Sequence, residues 1–298
     1  MEKDELKIPG NARLLIKVTR DTLPQVKDKY PFLYLERGRL EIDDSSIKWI
    51  DCDKNVVRIP VATLNCLLLG PGTSLTHEAV KVISSSNCGI CWVGEDSLLF
   101  FASGITPTSN TRNMRRQMRL AADEEQALEV ARRMYAHRFP QANLKGKNLR
   151  EMTGMEGIRV RDLYIRKAGE YQVGWQGRQF VPGKFEMSDL TNQILSSANA
   201  ALYALLCSGV HSLGFSPHIG FIHSGSPLPF IYDLADLYKD ELCIDLAFHL
   251  TRELAGEYNR HTVATHFRQR VMEMDLLNRI SPDIESVLGG KHGCRDSE

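Results

Sequence analysis

Ser103-Gly104-Ile105-Thr106-Pro107-Thr108-Ser109-Asn110 divides the chain into two parts with different hydrophobic periods. Its Gly, Pro, Ser and Thr content marks a connection between units. On its N-terminal side, apolar runs are short and alternate with period two, which predicts strands. They fall at residues 32–36, 39–43, 47–50, 56–59, 64–69, 90–93 and 98–102. Arg37-Gly38 between the first two predicts a hairpin. Gly70-Pro71-Gly72 ends the fifth run. Ser74 then starts a short amphipathic helix with Ala79, Val80, Val82 and Ile83 as its apolar side.

Beyond Asn110 the period becomes 3.6, and helices are predicted at residues 111–138, 149–171, 189–213, 233–254 and 262–280. Strands first and helices afterwards predict an α+β protein. The expected division is a β-rich domain with one inserted helix at 1–102, a linker at 103–110, an all-helical domain at 111–288 and a tail at 289–298. A length of 298 residues is ample for a sizeable core.

No apolar run reaches the roughly 20 residues that span a bilayer. The longest, at 199–210, is interrupted by Cys207 and Ser208. The charged N-terminus, Met1 to Lys7, lacks a signal-peptide core, so the expectation is a cytoplasmic protein with no membrane partner. Seven scattered cysteines fit reduced thiols better than a disulfide framework. The pair in Cys88-Gly89-Ile90-Cys91 reads as buried thiols in a strand, with metal or redox work as the alternative.

The 37 basic and 37 acidic residues cancel, but their distribution is uneven. Arg112, Arg115, Arg116 and Arg119 form a run without an acid, and Lys145, Lys147, Arg150, Arg159, Arg161, Arg166 and Lys167 follow. This is a local footprint for phosphates, or else a solvated helix face.

Three segments carry candidate chemistry. In Gly154-Met155-Glu156-Gly157-Ile158-Arg159-Val160-Arg161, Glu156 lies between glycines that permit close approach; the alternative is a helix-start glutamate facing the dipole. In Gly220-Phe221-Ile222-His223-Ser224-Gly225, His223 occupies a proline-flanked turn, as a ligand or acid–base group, or as a hydrogen-bonded structural residue. In Phe230-Ile231-Tyr232-Asp233-Leu234-Ala235-Asp236-Leu237, Asp233 and Asp236 share one helix face and repel unless a cation lies between them. Helix capping is the alternative there.

Glu, His and Asp donors together suit Mg²⁺ or Mn²⁺ at a phosphodiester. The chain has no Walker loop, no dinucleotide fingerprint and no serine elbow. A hydroxyl activated by an ion is therefore a better attacking group than a protein nucleophile.

In this order the three segments resemble the CRISPR-associated spacer integrase family, and most closely its type I-E branch. The resemblance runs from about Leu23 to Leu288 and includes Gly70-Pro71-Gly72-Thr73-Ser74-Leu75-Thr76-His77-Glu78-Ala79, Trp92-Val93-Gly94-Glu95 and Ala102-Ser103-Gly104. It implies a dimerising β-domain and a helical catalytic domain. It also implies a homodimer docked on a small ferredoxin-like CRISPR-associated partner, and double-stranded DNA as substrate. A 3′-hydroxyl of a short foreign DNA would attack the CRISPR repeat. By motif match Glu156, His223 and Asp236 would bind Mg²⁺ or Mn²⁺, Asp233 would support them, Tyr203 would lie nearby, and Lys239 and Arg260 would touch DNA.

The chain departs from that pattern at several positions. Ser226 replaces a lysine that relatives often carry, Arg37 replaces a stacking tyrosine (with Tyr34 nearby), Leu99 replaces a basic residue, and the tail is short. These changes bear on DNA-end handling. A metal-dependent nuclease for branched or flapped DNA, or a non-enzymatic DNA-binding scaffold, are the competing functions.

Overall fold

The computed structural model describes residues 29–43, 46–94, 100–104, 111–179, 187–254 and 256–289. Linker positions 105–110, Leu99 and the tail from 290 onward lie outside them. The strands are β1 (Tyr30–Leu35), β2 (Gly38–Asp43), β3 (Ser46–Asp51), β4 (Val56–Ile59), β5 (Leu64–Leu69), β6 (Thr73–Leu75), β7 (Gly89–Val93) and β8 (Phe100–Gly104), with helix α1 (His77–Ser85) between β6 and β7. The helices that follow are α2 (Arg112–Ala122), α3 (Glu124–Arg138), α4 (Leu149–Tyr171), α5 (Leu190–Ser212), α6 (Pro229–Ala235), α7 (Asp245–Leu254), α8 (Arg260–Glu273) and α9 (Leu276–Val287). The class is α+β, as expected.

Every residue of β5 is buried, which is the signature of a strand covered on both faces. Its side chains alternate between two cores. Leu67 and Leu69 join Leu35, Ile90, Leu40, Trp49 and Ile83 against the second sheet and α1. Cys66 and Leu68 join Phe32, Cys91 and Val93 against the helices. The strand order β1-β5-β7-β8 thus forms a wall between the two cores, and β4-β3-β2-β6 forms the other sheet.

The hairpin expected at Arg37-Gly38 does not form. β1 pairs in parallel with β5, whereas β2 pairs with β3 and β6. At Arg37 the backbone turns left-handed (φ 54°) and passes from one sheet to the other. The Arg37 and Gly38 N–H groups donate to Pro71 and Gly72 instead of to a hairpin partner. A side chain at Gly38 would collide with the Trp49 ring. The physical reason is burial on both faces of β1, which only the two-sided sheet provides.

Other boundaries also shift. Ser74 belongs to β6, and α1 starts after Thr76, whose side chain accepts from the Ala79 N–H. Val80 is exposed there. The helix expected at 111–138 is two, because Asp123 leaves helical geometry and caps α3. The one expected at 262–280 is broken at Asp275, which is left-handed. The one expected at 233–254 begins earlier, at Pro229, and contains a π-helical turn at Asp240–Ile244. Helix α5 is long and apolar enough to cross a bilayer by composition, but it is buried in the protein core, which accounts for that composition.

Candidate active site

Asp233 organises the site. It lies inside α6 and is 1% exposed. One carboxylate oxygen accepts from the Phe221 N–H at 2.6 Å and the Ile222 N–H at 3.2 Å. The other accepts from the His223 N–H at 2.9 Å and from His223 Nδ1 at 2.8 Å. A buried carboxylate with this many donors is well satisfied. It is not a helix cap, because α6 starts at Pro229. Gly220 makes the approach possible, since a Cβ there would lie 2.6 Å from Pro229 and 3.0 Å from Asp233.

The bond to Asp233 places the His223 proton on Nδ1 and leaves Nε2 as the free nitrogen. It also raises the imidazole pKa above its ordinary value, with Asp236 adding to the effect and burial opposing it. Nε2 lies 3.7 Å from Asp236 Oδ2. Asp236 Oδ1 accepts from Lys239 Nζ at 2.8 Å, and that ammonium sits 5.1 Å from the centre of the Tyr203 ring. Burial works against the Lys239 charge, but Asp236 outweighs it, so the pKa is raised. Tyr203 meets Tyr232 edge-on, and Tyr232 meets His223 edge-on.

Asp233 and Asp236 thus face opposite nitrogens of the same imidazole, and their other partners differ. The first is neutralised by loop N–H groups and His223, the second by Lys239 and Arg138.

Glu156 enters from α4. It is not a dipole-facing helix-start residue, because Asn148 and Glu151 form a capping box at that terminus. Its carboxylate accepts from Tyr135 Oη at 3.0 Å and from Arg138 Nη1. Arg138 Nη1 is also 3.8 Å from Asp236 Oδ2, and Nη2 donates to Asp240 at 3.1 Å. This arginine is 7% exposed. Burial disfavours its charge, and Asp236, Asp240 and Glu156 more than restore it. Sequence reading missed Arg138, Tyr135 and Asp240. A last-turn arginine looks like any C-terminal dipole partner, so no local signal marked Arg138.

Glu156, Asp236, Lys239, Tyr203, Tyr232 and Arg138 line one cavity of about 1080 Å³, a size that takes an extended ligand. Among the described residues no three His, Cys, Asp or Glu side chains are drawn together tightly enough to grip an ion. The donor set still fits one. Two carboxylates and an imidazole flank a single space, and Asp233 fixes the imidazole in the ligating tautomer.

The candidate DNA contacts divide into two groups. Arg112, Arg115 and Arg119 are exposed on α2. Arg116 is committed elsewhere, to Glu285 at 2.6 Å and the Leu288 carbonyl at 3.0 Å. Arg159 packs on the Phe139 ring. Arg260 bonds Glu36 at 2.5 Å and lies over the Tyr34 ring. Cys88, just before β7, and Cys91, within it, enter different cores. Burial pushes the Cys88 thiol up to about 12, which fits an inert thiol at that position.

The chain is similar in sequence and fold to known proteins. A family described as "CRISPR associated protein Cas1" matches residues 33–143 and 135–272. A protein of Chlorobaculum tepidum named "CRISPR-associated endonuclease Cas1 2" is 70% identical over 292 residues, which is 98% of this chain and 99% of that protein. A solved structure described as a "TtCas1-DNA complex" superposes with a TM-score of 0.78 at 36% identity, over 90% of this chain and 94% of the other. A casposase bound to integration product shares the fold, with a TM-score of 0.68 at 16% identity over 90% and 94% of the two chains.

Proposed function

Since the chain belongs to the CRISPR-associated Cas1 family of endonucleases, we propose that it inserts short foreign DNA into a CRISPR repeat by strand transfer. The observation that carries the reading is the meeting at Asp236 Oδ2. This oxygen is 3.7 Å from His223 Nε2 and 3.8 Å from the guanidinium nitrogen that holds Glu156. Three separate stretches of chain thereby bring together two carboxylates that line the cavity and an imidazole that reaches one of them.

The reaction exchanges one phosphodiester for another. The 3′-oxygen of the foreign DNA bonds to a phosphorus of the repeat, and the bond from that phosphorus to the repeat's own 3′-oxygen breaks. Glu156, His223 and Asp236 would hold a divalent ion, Mg²⁺ or Mn²⁺. Bound there, it supplies Lewis-acid chemistry that polarises the phosphodiester and favours ionisation of the attacking hydroxyl. Asp233 keeps the imidazole oriented. Lys239 adds positive charge beside Asp236, and the Tyr203 and Tyr232 rings bound the space beside it.

Double-stranded DNA is the substrate under this reading, and the DNA complex of the 36%-identical relative supports the binding of DNA. The exposed arginines of α2 would follow the phosphates. A homodimer formed through the strand-rich N-terminal region, and a small ferredoxin-like CRISPR-associated partner, complete the proposal. Hydrolysis of branched or flapped DNA uses the same groups with water as attacker.

The test supplies labelled donor duplexes ending in a 3′-hydroxyl or a 3′-deoxy sugar, with a repeat-containing target and Mn²⁺. Joined strands from the hydroxyl donor alone are expected. Hydrolysed ends from both donors would favour the nuclease, and no turnover with either would favour a DNA-binding scaffold.

A further inference from the structure

We infer that Arg138 is a built-in counter-cation that competes with the divalent ion for Glu156 and Asp236, and that ion entry moves it onto Asp240. The inference rests on reading Glu156, His223 and Asp236 as ligands of such an ion.

A single nitrogen of Arg138 contacts Glu156 and lies 3.8 Å from Asp236 Oδ2. Those are two of the three groups that would bind the ion. The Asp236 oxygen concerned is the one that also faces His223 Nε2. The guanidinium therefore stands in the space that an ion bridging those donors would take. Two cations cannot share it, because unscreened like charges a few ångströms apart repel strongly in a partly buried site.

Arg138 also has a second place to go. Its other terminal nitrogen is already bonded to Asp240 at 3.1 Å, and its guanidinium lies 5.0 Å from the centre of the Phe139 ring. A small rotation releases Glu156 and Asp236 without stranding a buried charge. Asp240 is the first residue of the π-helical turn and lies beside the cluster, where it accepts from Arg138. With no divalent ion bound, Arg138 keeps the repelling carboxylates together. With an ion bound, Asp240 keeps Arg138 satisfied.

The two flanking residues should therefore move ion affinity in opposite directions. Mn²⁺ binding is measured by titration calorimetry on the full chain, with thermal melting of the ion-free protein alongside. Arg138→Gln removes the competitor, and it should bind Mn²⁺ at least tenfold more tightly while melting lower without Mn²⁺. Asp240→Asn removes the resting place, and it should bind Mn²⁺ several-fold more weakly than wild type. A purely architectural arginine predicts weaker or unchanged binding in Arg138→Gln, and that result would overturn the inference. If Arg138→Gln does not fold, Asp240→Asn decides alone, and unchanged or tighter binding by it overturns the inference. Failure of the underlying reading looks different: wild type and Glu156→Gln would then bind Mn²⁺ equally, or neither would bind it.

Discussion

Asp233 holds His223 at two points, through the backbone N–H at 2.9 Å and the ring Nδ1 at 2.8 Å, with the same carboxylate oxygen. The imidazole is thereby fixed in position and in tautomer together. An amide cannot reproduce this, since one of its two termini is a donor facing donors. Asp233→Asn should lower the free energy of unfolding by about 2 kcal/mol, the cost of stranded buried N–H groups. Strand transfer should fall roughly 10–100-fold, as for other residues that orient a ligand. Urea denaturation and single-turnover assays check the two effects separately.

Gly220 and Gly157 should respond oppositely to alanine. At Gly220 the new Cβ would lie 2.8 Å from the Pro229 backbone, which cannot move without displacing α6. Gly220→Ala should cost about 1–3 kcal/mol and reduce strand transfer through Asp233. At Gly157 nothing lies within 4 Å of the added atom, and the residue is mid-helix. Gly157→Ala should stabilise by about 0.5–1 kcal/mol. Chemical denaturation of both variants tests the contrast.

The four arginines of α2 should separate in function. Arg116 ties α2 to α9 through Glu285 and the Leu288 carbonyl. Arg116→Ala should destabilise by about 1 kcal/mol, a value reduced by partial exposure of the ion pair. Arg115→Ala and Arg119→Ala should leave stability within about 0.5 kcal/mol. Each should weaken DNA binding and lower the magnitude of the salt slope, log affinity against log salt, by about 1. Binding titrations at several salt concentrations measure this.

His137, next to Arg138 on α3, pairs with Asp283 of α9 at 3.4 Å, and Asp283 also accepts from Tyr238. The bond to Asp283 raises the His137 pKa above its ordinary 6.5. Its stabilising effect is therefore complete below pH 6.5 and is lost as pH rises through the raised value. Burial works against the Asp283 charge, but His137 and Tyr238 prevail and lower its pKa below the ordinary 3.8. That contribution is present above pH 3.8 and is lost as pH falls through the lowered value. The pair should contribute most between about pH 4 and 6.5. Melting curves should show His137→Ala losing more relative to wild type at pH 5.5 than at pH 8.5.

Much of this was legible from sequence. The limits of β4, β5 and α4 follow the apolar pattern, and Glu156, His223 and Asp236 were marked by residue type and segment. What failed was partner choice. Arg37-Gly38 has the local form of a hairpin, yet the burial of both faces of β1 sends its neighbours to a different sheet. Breaks at Asp123 and Asp275 interrupt runs whose periodicity barely changes. Arg138 carries no local mark, because its role arises from carboxylates 18 and 102 residues away. Arg116 looked like its neighbours until α9 supplied an acid beside it.

The most direct measurement is the single-turnover strand-transfer rate of Glu156→Gln, His223→Ala and Asp236→Asn, with circular dichroism and melting to confirm that each is folded. If the three side chains act as one unit, each variant should lose at least about 1,000-fold, and combining two should cost little more than either alone. A folded variant of any of the three that joins DNA at the wild-type rate would contradict the account.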